Sequence, residues 1–241
     1  VDLGNGRLAQ AVAAGYMHSC AVLDDASVKC WGDNSYGQLG VGDADQRGGS
    51  SDGMGDALPF VDLGGGGMGV LSVSSGHQHS CALLESGGVK CWGQNDLGQL
   101  GLGDVVGRGQ TGQTMGDALP FVDFGGDRRV LWLDAGHSHS CVVLDDHSVK
   151  CWGYNRFGQL GVGDIFNRGD EAGEVSGTGT AVKLGGNRTA VSVFTGHFHS
   201  CAVLDDASVK CWGDNSYGQL GVGDADQRGG SSDGMGDALP F

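Results

Sequence analysis

One block recurs along this chain at almost constant spacing, and that period restricts the fold more than any other feature. The block begins His-Ser-Cys, runs through Val-Lys-Cys-Trp-Gly and ends in Gly-Gln-Leu-Gly. Its first cysteines are Cys20, Cys81, Cys141 and Cys201, at intervals of 61, 60 and 60 residues. A fixed period of this length marks a solenoid, a propeller or an array. It divides the chain into four expected units, residues 1–60, 61–121, 122–181 and 182–241.

Each unit carries the pattern of short strands. An alternating apolar run comes first, as in Val70-Leu71-Ser72-Val73 or Val130-Leu131-Trp132-Leu133. A glycine follows, then Ser-Cys-x-x-Leu, then turn residues such as Asp24-Asp25-Ala26-Ser27, then Val-Lys-Cys-Trp-Gly. Two alternating runs around a short polar turn predict a β-hairpin. Beyond it, Asn34, Gly37 and Gly40 mark a tight loop, and a Gly-rich excursion runs from Gly42 to about Asp56. Ala57-Leu58-Pro59-Phe60 closes the unit, with a proline suited to an edge strand. The expectation is an all-β chain of propeller-type blades with about four strands each. The 49 glycines sit at repeat-specific positions, so they supply turns and not a low-complexity tract.

The frame Gly-His-x-His-Ser-Cys-x-x-Leu…Val-Lys-Cys-Trp-Gly-x-Asn-x-x-Gly-Gln-Leu-Gly resembles the RCC1 repeat, the regulator of chromosome condensation family, in its cysteine-paired secreted variant. That family folds each repeat into a four-stranded blade and closes seven blades into a ring. Here there are four units, and the Gly-rich loop at residues 44–55 is longer than the family's. The resemblance therefore implies RCC1-type blades in an open or head-to-tail stacked array and not a closed ring. The founding member exchanges guanine nucleotide on a small GTPase and sits on chromatin. This chain has no basic tail for chromatin, and fold alone does not supply function.

The eight cysteines form four C-x9-C pairs, Cys20/Cys30, Cys81/Cys91, Cys141/Cys151 and Cys201/Cys211. Each pair spans a predicted hairpin, where cross-strand neighbours are close enough to bridge. Eight cysteines allow 105 connectivities, but one repeated spacing favours the local set. Each such bridge contributes about 2–3 kcal/mol in the chain-entropy model. The spacing lacks the close pairs of structural zinc sites. Disulfides place the chain in an oxidising, extracellular setting or at the cell surface; reduced thiols in a cytosolic propeller are the alternative. Asn187-Arg188-Thr189 is the one N-glycosylation sequon and fits the extracellular reading.

His77/His79, His137/His139 and His197/His199 form His-x-His, which on a strand puts both rings on one face and could hold a metal. The second histidine resembles a structural histidine of the RCC1 repeat that bonds backbone, and this is the favoured reading. Asp43, Asp45, Asp52 and Asp56 lie in a loop whose composition suits calcium, but the acids are unequal between copies, so no cofactor is expected. Trp31, Trp92, Trp152 and Trp212 are expected to pack between blades.

A formal net charge of -15 repels phosphate backbones, which argues against nucleic acid. No apolar run reaches the length of a membrane span. No nucleophile-base-acid set, phosphate loop or nucleotide fingerprint stands out, so an enzyme is not expected. Residues 18–60 and 199–241 are identical. The chain also opens with Val1-Asp2-Leu3-Gly4 and stops at Ala238-Leu239-Pro240-Phe241, blocks that are fused at residues 57–64 and 118–125. The C-terminus is thus in register to be followed by another N-terminus: either the chain is cut from a longer array, or copies stack head to tail, and head-to-tail contacts that do not close make filaments. These features point to a non-enzymatic extracellular structural or adhesive protein that associates with itself or with other extracellular proteins. A secreted protein-binding propeller is the alternative, and an intracellular exchange factor or scaffold the third.

Overall fold

The computed structural model describes residues 1–241 apart from 66–67, 178–179 and 187. Four three-stranded antiparallel sheets follow one another along the chain. The first contains β1 (Ala9–Ala14), β2 (His18–Leu23) and β3 (Val28–Gly32). The second has β4 (Val70–Ser75), β5 (His79–Leu84) and β6 (Val89–Gly93); the third β7 (Val130–Ala135), β8 (His139–Leu144) and β9 (Val149–Gly153); the fourth β10 (Ala190–Thr195), β11 (His199–Leu204) and β12 (Val209–Gly213). Successive inner strands lie side by side, β1 on β4, β4 on β7 and β7 on β10. The sheets stack as blades around an axis without closing, and none of the described residues approaches Gly218, Gly221 or Gly223 on the far side of the last blade.

The hairpins form where the alternation predicts them. Ala26 N–H bonds Leu23 O and Leu23 N–H bonds Ser27 O, each at 2.8–2.9 Å. The Asp25 carboxylate accepts from Ser27 N–H. The tight turn forces Ala26 to φ 61°, and the same position holds Gly87, His147 and Ala207, all at positive φ.

The expected fourth strand is reduced to a single point. Phe60 makes one bridge to Lys29, and Val61 N–H bonds Val28 O at 2.8 Å. Pro59 has no N–H to extend a ladder, and after Val61 the chain turns away. Asp62 N–H bonds Gly40 O, and Val61 and Leu63 join the apolar cluster that contains Val28, Leu39 and Trp92.

The core is laminar: each cluster combines the forward face of one blade with the backward face of the next. Cys20, Val22, Val28 and Cys30 of the first blade pack with Ala82, Leu84 and Trp92 of the second. Alternation along the strand explains the recurrent Cys-Trp dipeptide, since adjacent residues point to opposite faces. Cys91 faces the following blade and Trp92 the preceding one.

Candidate functional site: the blade interfaces and the axial mouth

The four cysteine pairs face each other directly in register, Cys20↔Cys30, Cys81↔Cys91, Cys141↔Cys151 and Cys201↔Cys211. All four are closed as disulfides, with Cα atoms 4.0–4.1 Å apart. The first three are buried beneath the next blade, and Cys201–Cys211 is half-buried. Asn187, the sequon asparagine, lies outside the described residues.

Each internal interface carries the same polar cluster. Trp92 donates its indole N–H to Gln38 O at 2.9 Å, Trp152 to Gln99 O at 3.0 Å and Trp212 to Gln159 O at 2.9 Å. The same carbonyls accept the hydroxyls of Ser80, Ser140 and Ser200. His18 Nε2 meets Ser80 Oγ at 2.8 Å, and His79 and His139 repeat the contact with Ser140 and Ser200. The serine proton is already committed to the carbonyl, so the imidazole must donate from Nε2. Its Nδ1 is then a buried acceptor without a partner in His18, His79 and His139. Protonation there would bury an uncompensated charge. Burial accordingly pushes His79 and His139 down to about 3 and His18 to about 4. The structural histidine thus bonds a serine side chain of the next blade, not backbone as its resemblance implied.

Glycine backbones seal these interfaces. The turn at Gly37 lies against Gly109, that at Gly98 against Gly169 and that at Gly158 against Gly229, so close that a side chain on any of them would strike the opposing main chain. Asn34 holds the turn, accepting Leu39 N–H at 3.0 Å and donating to Asp43 O at 2.9 Å.

The sequence gives no cue to the lysine of Val-Lys-Cys, which is buried in every blade. Lys29 Nζ donates to Leu3 O and Gly55 O at 3.0 and 2.8 Å. Lys90 does the same with Leu63 O and Gly116 O, and burial lowers its pKa. These lysines pin the Gly-rich loop and the inter-blade linker to the sheet.

The two rings of His-x-His part company. His79 belongs to the interface, while His77 precedes the strand and turns to the axial mouth. There Tyr16, His77, His137 and His197 form a ladder with centroid separations of 4.3, 4.1 and 4.1 Å. Desolvation, then the neighbouring His197 and His77, bring His137 down to about 4. Among the described residues no three His, Cys, Asp or Glu side chains are placed to hold a metal ion. In the Gly-rich loop, Asp43 is engaged by Arg47 at 2.7 Å. Phe198 extends the mouth, stacking on Phe157 at 4.9 Å and touching Tyr154 at 5.8 Å. Below it the inner strands enclose about 610 Å³, bordered by Val12, Leu71, Trp132 and Asp134. The Asp134 carboxylate ties three blades, accepting from Ser74 Oγ at 3.0 Å and from Thr195 N and Oγ1 at 2.7 and 2.8 Å. Among the described residues no helix is long and apolar enough to cross a membrane.

Comparison with known proteins agrees with this architecture. Two models of the regulator of chromosome condensation (RCC1) repeat match, one at residues 9–38, 70–99, 133–159 and 190–219, the other at 25–83. The ultraviolet-B receptor UVR8 of Arabidopsis thaliana is 30% identical over 218 residues, covering 90% of this chain and 44% of the receptor. The probable E3 ubiquitin-protein ligase HERC4 of Homo sapiens is 32% identical over 152 residues, 63% of this chain and 13% of the ligase. The chain thus spans less than half the length of these curated relatives. Among solved structures, human WBSCR16 superposes with a TM-score of 0.69 at 25% identity, covering 94% of this chain and 54% of that one. Yeast RCC1 (Prp20), solved bound to Kap60, gives 0.62 at 23%, covering 87% and 42%, and shows the fold alone. The chain belongs to the RCC1 repeat family.

Proposed function

We propose that this chain is a non-enzymatic extracellular structural module that acts by protein–protein contact, as the repeating part of a filament or cell-surface appendage. The observation that carries this reading is where the recurring polar groups of the repeat go. Histidine, serine, tryptophan and the glutamine carbonyl all join one blade to the next, at three successive interfaces. Such a chain gains stability from nearest-neighbour contacts, which suits an extended assembly. Four closed hairpin disulfides support an oxidising setting. Immunogold labelling of intact cells, with electron microscopy of shed material, tests it. Labelled filaments or appendages are expected; label confined to the cell interior overturns it.

A second reading, a secreted recognition module, is favoured by the aromatic cluster of Tyr154, Phe157, His197 and Phe198 at the axial mouth. Aromatic side chains of this kind anchor protein interfaces. A saturable partner lost on Phe198→Ser would favour it.

A further inference from the structure

We infer that the third blade holds a binding site for a carboxylate with an aromatic or apolar group beside it, built from Gln159, Arg156, Tyr154, Phe157 and Phe198. This deepens the recognition reading above, naming the chemistry its aromatic cluster takes, and rests on it.

The same loop occurs in each blade, and the third copy departs from the first and fourth. After Trp-Gly those two blades have Asp-Asn-Ser-Tyr-Gly-Gln, at residues 33–38 and 214–219. The third has Tyr-Asn-Arg-Phe-Gly-Gln, at residues 154–159. In the first and fourth blades the aspartate closes the loop. Gln38 Nε2 donates to Asp33 Oδ2 at 2.7 Å, and Gln219 Nε2 to Asp214 Oδ2 at 2.8 Å. The Ser35 and Ser216 hydroxyls donate to the other carboxylate oxygen, at 2.7 and 2.5 Å.

The third blade keeps the glutamine and loses its acceptor. Gln159 Oε1 accepts the Phe157 N–H at 3.0 Å, as Gln38 and Gln219 accept the Tyr36 and Tyr217 N–H at 2.9 Å. That bond fixes which end of the amide is nitrogen. It leaves Nε2 turned to the place where Asp33 and Asp214 present a carboxylate. Tyr154 supplies none there, and its ring lies 5.8 Å from Phe198 and 6.3 Å from Phe157. Gln159 is 0% exposed, and its Nε2 has no partner among the described residues. A buried amide donor left unpaired costs its desolvation, which an incoming acceptor recovers.

The charge changes in the same direction. Arg156 stands where the first and fourth blades have serine. Seven arginines pair with aspartates, yet Arg156 is exposed and has no ion pair among the described residues. A guanidinium grips a carboxylate through two N–H groups at once. The formal charge of -15 repels anions at range, so short contacts and not the field of the whole chain hold the group. Beside it Phe157 and Phe198 stack at 4.9 Å, and all three rings are half-buried. Their uncovered surfaces take the apolar part of the ligand. Phe198 comes from the fourth blade, so the site spans an interface internal to the chain. Reaching Nε2 requires one ring to rotate, and none of the three is fixed by a side-chain hydrogen bond among the described residues.

NMR of the isotope-labelled 241-residue chain tests this by following the Gln159 side-chain amide during titration. Three probes are used. N-acetylphenylalanine carries its carboxylate at a chain end, N-acetylaspartylphenylalaninamide carries it on a side chain, and N-acetylphenylalaninamide has none. Saturable shifts with at least one acid and none with the neutral amide are expected; the tighter acid tells a chain terminus from an internal acidic residue as the source. Tyr154→Asp restores the acceptor of the first and fourth blades and is expected to abolish the shifts, once circular dichroism matches the wild type. Arg156→Ser, an exposed change to the residue of those blades, is expected to weaken the acids about tenfold or more. No shift with either acid overturns the inference, as does a neutral amide that binds equally well or undiminished binding in both variants. Silent acids with a protein partner still lost on Phe198→Ser overturn the carboxylate site and leave the recognition reading standing. Acids that bind, with no saturable protein partner, support the site and overturn that reading.

Discussion

Trp212 and Gln159 join the last two blades through one hydrogen bond, the indole N–H of one to the main-chain oxygen of the other at 2.9 Å. Trp152 makes the same bond to Gln99 across a fully covered interface. Trp31 occupies the equivalent place in the first blade, where none of the described residues supplies a facing blade, and is half-buried. Trp152→Ala is therefore expected to cost about 3–5 kcal/mol, as large-to-small changes in a packed core do. Trp31→Ala should cost clearly less in dilute solution. Urea unfolding followed by circular dichroism measures both; equal losses would contradict the stacked-blade account.

Burial also orders the disulfides. Cys20–Cys30, Cys81–Cys91 and Cys141–Cys151 lie under a following blade, while Cys201–Cys211 borders the open face. Limited reduction under native conditions, with alkylation and peptide mapping, should label Cys201 and Cys211 before the other six. Uniform labelling would contradict it.

The interface histidines predict a pH dependence. In the folded chain His79 and His139 are held near 3 and His18 near 4, below the ordinary histidine value of 6.5. Between those values the unfolded chain binds protons that the folded chain refuses, so stability falls as pH falls from 6.5 toward 4. The slope is up to about 1.4 kcal/mol per pH unit for each histidine. Above pH 6.5 these groups contribute no slope. Denaturant midpoints from pH 8 to 4.5 check this, and a flat profile below 6.5 would contradict the neutral, singly bonded imidazoles.

The hairpin turns hold an alanine where the backbone favours glycine. Ala26 and Ala207 sit at φ 61° and 67°, whereas the second blade uses Gly87 at φ 85°. Ala26→Gly is expected to stabilise by about 1 kcal/mol, and Gly87→Ala to destabilise by a similar amount. Thermal unfolding of the two variants checks the pair of signs.

Much of the blade was legible because its repeats announce it. Alternation placed β2 and β3, and the spacing of Cys20 and Cys30 put them opposite each other. The inter-blade role of Trp92, Trp152 and Trp212 followed from their fixed position beside a cysteine. The rest depends on groups that meet only across blades. His77 and His79 look like one metal-binding pair in sequence, yet a bend before β5 sends the rings to different places. Lys29 looks like a surface residue in an alternating strand, yet carbonyls from residues 3 and 55 capture it. Pro59-Phe60 reads as a strand, yet the linker is drawn away to cover the next blade after one bridge.

Non-reducing intact mass with alkylation, on protein recovered from its native source, tests the central claim most directly. Rigid blades clasped by Cys20–Cys30, Cys81–Cys91, Cys141–Cys151 and Cys201–Cys211, working outside the cell, predict four closed bridges and no sulfur that reacts before reduction. Eight reactive thiols would contradict it, and would send the search for this protein's partners inside the cell.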